Sequence, residues 1–386
     1  MLRIFLTGDN HIGRRYSSHA KAAEIAEERI AVFSRLVERA NAERCDLFVI
    51  AGDLFDNTYG VAKREVRRLL EMLSAFRGTV VYLPGNHDHY DPDAKLWQYF
   101  TDAQREYGNI LLLNEYRPYQ LSLGDGEAVL YPALCTSLHS APGENHLGWI
   151  AAEGISPGPE PDEKYRLGLA HGAVEGETID REGAYFQMSR SELEAIPVDV
   201  WLIGHTHVPF PRDVKTGAWF TGARIFNAGT HVQTDVACNT EGCCFLIEIA
   251  PGPGMKEVRA KKLVYDALRF YRRRVTVSPG LMAEELERAV KDLPDRAVVE
   301  LLVGGAANAE EYADRAAYIE GLLSRFLEGG YQDYELSRLI TPELVAREFP
   351  ETSFAAGLLM ELLDEPKEAQ LAYELLKAVR EEEGKR

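Results

Sequence analysis

The sequence has no long hydrophobic run and few cysteines. None of its apolar stretches approaches the roughly 18 residues that a membrane-spanning helix requires, so we expect no membrane insertion. The cysteines, at positions 45, 135, 238, 243 and 244, form no CxxC pair, which argues against a thiolate metal site. Their odd number is typical of reduced thiols, and the first residues lack the hydrophobic segment of a secretory signal. We therefore expect a cytoplasmic protein.

A surplus of basic residues is also absent. The 386 residues include 43 lysines and arginines against 61 aspartates and glutamates, which gives a net charge of −18. This balance argues against a protein that coats nucleic acid through a broad basic surface. It does not exclude a nuclease, because metal cations bound at an acidic site reverse the local field and a partner can supply contacts to phosphates.

The first 250 residues alternate between two hydrophobic periods. Nearly continuous apolar runs, typical of strands covered on both faces, occupy Leu2–Thr7, Asp46–Ala51, Thr79–Leu83, Arg166–Ala170 and Asp199–Ile203. Apolar residues spaced by three and four predict helices between Ala23 and Ala40 and between Val66 and Leu73. Strands that alternate with helices in this way predict an α/β core.

Weaker patterns predict the remaining organisation. Arg117–Tyr131 is typical of a hairpin, and short strands and turns from Trp219 to Ile249 predict a second, more antiparallel sheet behind the first. Two strands and two helices beyond residue 265 predict a small α/β unit, and amphipathic helices follow residue 339. We therefore expect three domains, 1–264, 265–339 and 340–386.

Polar residues follow each of the buried runs. They are Asp9-Asn10-His11, "GDLFD" at 52–56, "GNHD" at 85–88, His171-Gly172 and "GHTH" at 204–207. Because ligands gather outside the carboxyl ends of strands in open α/β sheets, we expect the five clusters to face one crevice. Two aspartates, one asparagine and four histidines without a thiolate suit manganese, iron or zinc. Seven ligands favour two metal ions with a bridging carboxylate, an arrangement that clamps a phosphoryl group and activates water.

In this order, the motifs D-x-H, GD-x-x-D, GNHD, a lone histidine and GH-x-H resemble those of the calcineurin-like metallophosphoesterase superfamily. Within it, "GDLFD", "GNHD" and "GRRYSSHAKAAEIAEERIAVFSRLVERA" are most similar to the SbcD-type exonuclease subunits of DNA double-strand-break repair. The resemblance covers the first 250 residues well. It implies a four-layer β-sandwich flanked by helices, plus a small α/β capping domain and C-terminal helices.

The resemblance also implies a role for each matching residue. Asp9, His11 and His207 would hold one metal ion, Asn86, His171 and His205 would hold the second, and Asp53 would bridge them. His87 would be the general acid, and Asp88 would orient its ring. Asp56 stands where some relatives carry a histidine, so a second histidine that positions the phosphate is missing. The expected metal is manganese, with iron or zinc as alternatives.

These expectations lead to a metal-dependent DNA phosphodiesterase of DNA repair, an exonuclease and also a single-strand endonuclease. The capping domain would select DNA ends, and residues 340–386 would bind an SbcC-like coiled-coil ATPase of the SMC family. This chain has no GxxxxGK[ST] motif, so it cannot supply the ATPase itself. We also expect a homodimer. The alternatives are a phosphodiesterase or phosphomonoesterase for small nucleotides on the same metal core, and a non-catalytic scaffold.

Overall fold

The computed structural model describes residues 1–124, 126–156, 164–177, 184–238, 240–252, 255–265 and 268–383. The chain divides into two compact units, one made of Met1–Ser18 and Ala22–Leu268, the other of His19–Lys21 and Arg269–Arg386. The predicted boundary after residue 264 lies close to this division, and the predicted third segment, 340–386, falls inside the second unit. No helix in the described part of the chain is long and apolar enough to cross a membrane.

The first unit contains the following elements. Its strands are β1 Leu2–Thr7, β2 Leu47–Ala51, β3 Thr79–Leu83, β4 Ile110–Leu112, β5 Tyr119–Leu123, β6 Gly126–Ala133, β7 Lys164–His171, β8 Val200–Gly204, β9 Trp219–Thr221, β10 Ile225–Asn227, β11 Cys243–Ala250 and β12 Glu257–Val264. Its helices are α1 Ala22–Ala42, α2 Lys63–Ser74, α3 Lys95–Gln104, α4 Gly148–Ala152 and α5 Arg190–Ala195.

Two sheets pack face to face in this unit, with strand orders β4-β3-β2-β1-β11-β12-β9 and β10-β8-β7-β6-β5. Alternate side chains of their strands, among them Leu6, Val49 and Leu167, form the core between the sheets. Phe5 and Phe48 belong instead to the core that includes residues of α1, α2 and α3. Residues of α4 and α5 pack against the second sheet. Helices, two sheets and helices are the four layers that the family resemblance implies, and burial on both faces explains the continuous apolar runs.

The prediction that the strands from Trp219 to Ile249 form a second sheet is wrong for two of the three strands. β9 and β11 belong to the first sheet, where β11 pairs antiparallel with β1, and only β10 joins the second sheet. In that second sheet β10, β8, β7 and β6 pair in parallel, and only β5 runs antiparallel to its neighbour. The local pattern cannot reveal this exchange, because apolar residues show that a strand is buried and not which strand it pairs with; β10 and β11 are both buried and yet join different sheets. The predicted hairpin is confirmed as β5–β6, although Asp125 lies outside the described residues.

The second unit consists of β13 Arg269–Val277, α6 Met282–Val290, β14 Ala297–Ala307, α7 Ala309–Leu323, β15 Glu328–Arg338, α8 Pro342–Glu348, α9 Phe354–Glu361 and α10 Pro366–Glu383. Its three strands form a parallel sheet in the order β13-β14-β15, and residues of α6 and α7 complete the core. Residues of α8, α9 and α10 form a separate hydrophobic cluster. The sequence pattern did not predict β15, whose residues are mostly polar and partly exposed.

We expect Gly168→Ala to lower the free energy of unfolding by about 1–3 kcal/mol, the usual cost of an overpacked core. Gly168 of β7 pairs with Trp201 of β8, and an added Cβ would lie 2.4 Å from Trp201 Cε3. The indole is held in place, because its Nε1 donates a hydrogen bond to the Leu193 carbonyl at 2.8 Å. Chemical denaturation measures the change. Gly108→Ala is the control, since no atom lies within 4 Å of its added Cβ, and an equal loss in both variants would contradict the packing argument.

Candidate metal centre

Five loops of the first unit begin at the carboxyl ends of parallel strands. β1, β2 and β3 lie side by side in one sheet, and β7 and β8 are neighbours in the other. The polar clusters predicted from the sequence follow these ends directly, or end the strand itself in the case of His171. The architecture therefore gathers residues that are up to 196 positions apart in the chain.

Main-chain hydrogen bonds join the first two of these loops. The amide of Asp9 donates to the Gly52 carbonyl at 3.1 Å, and the amide of His11 donates to the Asp53 carbonyl at 2.9 Å. Asp9, His11 and Asp53 have φ angles of 47°, 45° and 53°, a left-handed conformation that residues with side chains seldom adopt. Such residues concentrate at functional sites, where the surrounding structure offsets the strain.

Asp9, His11 and His207 form the first set of donors. Each offers one ligand atom, and these atoms lie within 4.8 Å of one another. The Nε2 atoms of His11 and His207 are 3.0 Å apart. Both oxygens of the Asp9 carboxylate accept the amide of His205, at 3.1 and 3.0 Å, which fixes the carboxylate in place.

Asn86, His171 and His205 form the second set. Asn86 Oδ1 lies 3.0 Å from His171 Nε2 and 3.1 Å from His205 Nδ1. The Asn86 amide group is oriented by its Nδ2, which donates to the Leu138 carbonyl at 3.2 Å. His171 Nδ1 faces the Ala51 carbonyl at 2.8 Å, so the neutral ring carries its proton there and presents Nε2 to the site.

Asp53 lies between the two sets. Its Oδ2 is 3.3 Å from His171 Nε2 and 3.7 Å from His11 Nε2, and its Oδ1 accepts the His87 amide at 2.8 Å. Burial alone would raise the pKa of this carboxyl, but the neighbouring His171 and His11 hold the pKa well below its usual range. The carboxylate is therefore placed where a bridging ligand would be required.

The donors fit a pair of divalent cations. Ligands bound to one ion at about 2.1 Å lie about 3 Å from one another, which is the spacing found in each set. Burial raises the pKa of Asp9 to about 8, so this carboxyl needs added positive charge to stay ionised at neutral pH. Burial lowers the pKa of His11, and lowers that of His207 to about 2, which keeps both rings in the neutral form that binds metal. Burial alone would lower the pKa of His171, but Asp53 raises it to about 9, and a cation would replace the extra proton of this ring.

Asp88 has different partners from those that the sequence predicts. Its carboxylate is fully buried and anchors the main chain of the loops instead of the ring of His87, whose Nδ1 faces the Asp56 carbonyl at 3.3 Å. A buried carboxylate needs several donors, and the loops supply them. Asp88 accepts hydrogen bonds from the amides of Asp53 (3.2 Å), Phe55 (2.9 Å) and Gly85 (2.7 Å) and from the Tyr82 hydroxyl.

His87 is exposed at the open side of the donor cluster. Its ring centroid is 4.8 Å from that of His11, and one of its nitrogens lies within 4.8 Å of ligand atoms of His11 and Asp53. Asp56 supports His11 from the other side, with Oδ1 3.2 Å from His11 Nδ1. A phosphoester held by the donors would therefore have an imidazole within reach.

Arg29 supports the site, although the sequence analysis did not single it out. It lies on the apolar stripe of α1 between Ile25 and Val32, and only 1% of it is exposed. A charged residue on such a stripe is the signal that could have identified it. Its guanidinium donates to the carbonyls of Asn10, Asp9 (3.2 Å), Val232 (3.4 Å) and Gln233 (3.3 Å) and to Thr230 Oγ1 (2.9 Å).

His231 lies behind the β1 loop. Its ring is buried, with Nδ1 3.1 Å from Asn10 Nδ2 and Nε2 3.1 Å from the Arg29 carbonyl. Asn10 also donates from Nδ2 to Thr7 Oγ1 at 2.9 Å. Both residues therefore support the loop that carries Asp9 and His11.

We expect Gly52→Ala to weaken metal binding at least tenfold. Gly52 has a φ of 91°, and an added Cβ would lie 2.0 Å from His171 Nδ1, so the ring must leave its position. Calorimetric titration with Mn²⁺ measures the loss. Gly217→Ala is the matched control, because its φ of 77° imposes similar backbone strain while no atom lies within 4 Å of the added Cβ. Unchanged Mn²⁺ affinity in Gly52→Ala would refute the placement of His171 as a ligand.

Known proteins share sequence and structural similarity with this chain. The sequence model of the family described as calcineurin-like phosphoesterase matches residues 2–209. Solved structures similar to this chain include a Thermus thermophilus protein, with 12% identity over 59% of this chain and 89% of that chain and a TM-score of 0.36. A purple acid phosphatase from yellow lupin seeds shows 14% identity over 64% of this chain and 49% of that chain, with a TM-score of 0.37. A dimetal phosphatase from Danio rerio shows 13% identity over 69% of this chain and 99% of that chain, with a TM-score of 0.35.

The family match spans more than half of the chain and includes all five polar clusters that carry the donors, the last of which ends at His207. The two donor sets meet at the strand ends with the spacing that shared cations require. The protein therefore belongs to the calcineurin-like phosphoesterase family, whose members hydrolyse phosphoesters at a two-metal centre.

Proposed function

We propose that this phosphoesterase is a DNA phosphodiesterase of DNA repair, an exonuclease and a single-strand endonuclease that uses manganese. The observation that carries the proposal is the donor cluster with His87 exposed beside it. The similarity of "GDLFD" and "GNHD" to the SbcD branch supports DNA as the substrate. The second unit, with its own core, supports a substrate larger than a free nucleotide.

The metal ions, their ligands and the neighbouring side chains have separate roles in the proposed reaction. When bound, the metal ions would activate water and neutralise charge on the phosphoryl group. Asp9, His11 and His207 would hold one ion, Asn86, His171 and His205 the other, and Asp53 both. His87 would protonate the leaving oxygen, with its ring oriented by the Asp56 carbonyl. Asp88 and Arg29 would hold the loops that carry the donors in position through hydrogen bonds to their main chain.

A small-nucleotide phosphodiesterase or phosphomonoesterase is the second candidate. The net charge of −18 favours it, because a long DNA strand is repelled by an acidic surface. A non-catalytic scaffold is less favoured. It would retain buried polar donors that lower the stability of the fold, although it has no catalytic use for them. The homodimer and the cytoplasmic location stay predictions.

We expect His87→Ala to reduce cleavage of end-labelled DNA by about 10²–10⁴-fold, the usual contribution of a general acid. Single-stranded and duplex DNA are incubated with Mn²⁺, beside bis-p-nitrophenyl phosphate. His139→Ala is the control, because His139 packs against Tyr185 and belongs to none of the donor groups found among the described residues. DNA cleavage that survives in His87→Ala would refute the role of His87. Hydrolysis of the small ester alone by the wild type would favour the second candidate.

We further propose that α10 binds the SMC-like ATPase. Leu371, Leu375 and Val379 recur every four residues on one face of α10 and are 59%, 59% and 54% exposed. Ala369 and Tyr373 lie in the apolar cluster with α8 and α9, so the helix is already anchored from another face. An exposed apolar stripe of this kind is typical of a surface that a partner covers.

The double change Leu371→Ser and Leu375→Ser should abolish co-purification with a co-expressed SMC-like ATPase while the protein stays folded, because both side chains are exposed. Glu368→Ser, an exposed position in the first turn of α10, is the control and should leave recovery of the ATPase unchanged. Equal recovery with wild type and both variants would contradict the proposal.

A further inference from the structure

A cavity of about 810 Å³ lies in the first unit beside the metal centre. The loops that follow β1 and β2, the N-terminal part of α1 as far as Ile30, and one face of α2 as far as Met72 enclose it. Ile12 and Asp56 are among its lining residues, and Asp56 Oδ1 lies 3.2 Å from His11 Nδ1. The cavity therefore begins one residue away from a donor of the metal centre, and its volume is within the range of ligand pockets.

The floor of the cavity is apolar, and it is formed by Ala23, Ala26, Ile30, Leu69 and Met72. Four arginines line the cavity as well. Two of them are engaged by carboxylates, because Arg68 pairs with Glu27 at 2.7 Å and Arg14 lies 3.7 Å from Asp56.

Arg15 and Arg64 are different. Neither has an ion pair or a hydrogen bond to another side chain within the described part of the chain. Two available cations at one cavity stand out in a protein with a net charge of −18. They supply the positive charge that a phosphate next to the reacting one would need.

Tyr59 forms part of the rim and is 59% exposed. It is not free to move, because its hydroxyl donates to Asp91 Oδ2 at 2.9 Å and its ring packs against His89 with centroids 5.9 Å apart. A fixed, exposed aromatic ring is a surface on which a nucleobase stacks.

We propose that this cavity binds the nucleoside adjacent to the scissile phosphate. The base stacks on Tyr59, the sugar lies over the apolar floor, and the next phosphate of the strand pairs with Arg15 and Arg64. This inference rests on the proposed phosphodiesterase function and makes its substrate specific, because an ester without a nucleoside leaves the cavity empty.

The test compares two esters that share the same leaving group. Thymidine 5′-p-nitrophenyl phosphate can fill the cavity, whereas methyl p-nitrophenyl phosphate has no ring besides the leaving group that could stack on Tyr59. We expect Tyr59→Ala to lower the ratio of kcat/KM for the nucleoside ester to that for the simple ester by about tenfold, as expected for loss of one stacked base. Tyr59→Phe keeps the ring and should restore most of the ratio. Ala26→Trp, which fills the floor, should lower the ratio as Tyr59→Ala does.

The arginines are tested with the same nucleoside ester carrying a 3′-phosphate. Arg64→Ala should remove most of the gain in kcat/KM that the 3′-phosphate gives. Arg67→Ala is the matched control on the same helix, since Arg67 pairs with Glu106 at 2.8 Å and does not line the cavity, and it should keep the gain. Equal gains in both variants would exclude Arg64 from the subsite.

Binding is measured separately from catalysis. Calorimetric titration of metal-free protein with thymidine 5′-monophosphate should show weaker binding to Tyr59→Ala and Ala26→Trp than to wild type, with thermal unfolding as the check that the variants are folded. If no ester is cleaved, the proposed function fails while the titration still tests the cavity. Unchanged kcat/KM ratios and unchanged nucleotide binding in all variants would overturn the subsite.

Discussion

The cost of burying ionisable groups at the strand ends is the constraint on which the rest of the structure depends. Asp9 and Asp53 are almost fully buried. Each carboxylate lies close to the histidines that surround the other. Their pKa values shift in opposite directions, Asp9 upward through burial and Asp53 downward through His171 and His11. Bound cations would balance this charge while leaving the rings neutral, which fits the donor set to the metal-dependent chemistry of the family.

Much of the surrounding structure serves to hold these groups where they would otherwise not stay. The left-handed conformations of Asp9, His11 and Asp53 are maintained by hydrogen bonds between the two loops. Asp88 binds the amides of the second and third loops, and Arg29 binds the carbonyls of the first. Neither residue needs to contact substrate, yet loss of either would leave buried main-chain groups unpaired, which is costly.

Charge is distributed unevenly around the centre. The chain is acidic overall, whereas Arg15 and Arg64 line the cavity that begins beside His11 and pair with no carboxylate among the described residues. These arginines and the bound metal ions would together attract a phosphodiester to the metal centre. The rest of the surface, being acidic, would not bind nucleic acid non-specifically. In the second unit, the apolar face of α10 provides a separate surface, so substrate binding and partner binding would use different parts of the chain.

The sequence by itself determined the α/β core, the strand positions and the polar clusters at their ends, because burial on both faces leaves a continuous apolar run and each such run stops where the chain turns. Tertiary structure alone decided which sheet β9, β10 and β11 join, since the buried strands β10 and β11 have similar apolar patterns and yet pair in different sheets. It also decided that Asp88 anchors loops instead of orienting His87, because neighbours in a tight loop find partners that are distant in sequence. The polar strand β15 and the cavity beside the metal centre depend on packing between elements that are distant in sequence. The hydrophobic periodicity of a single segment contains no information on such packing.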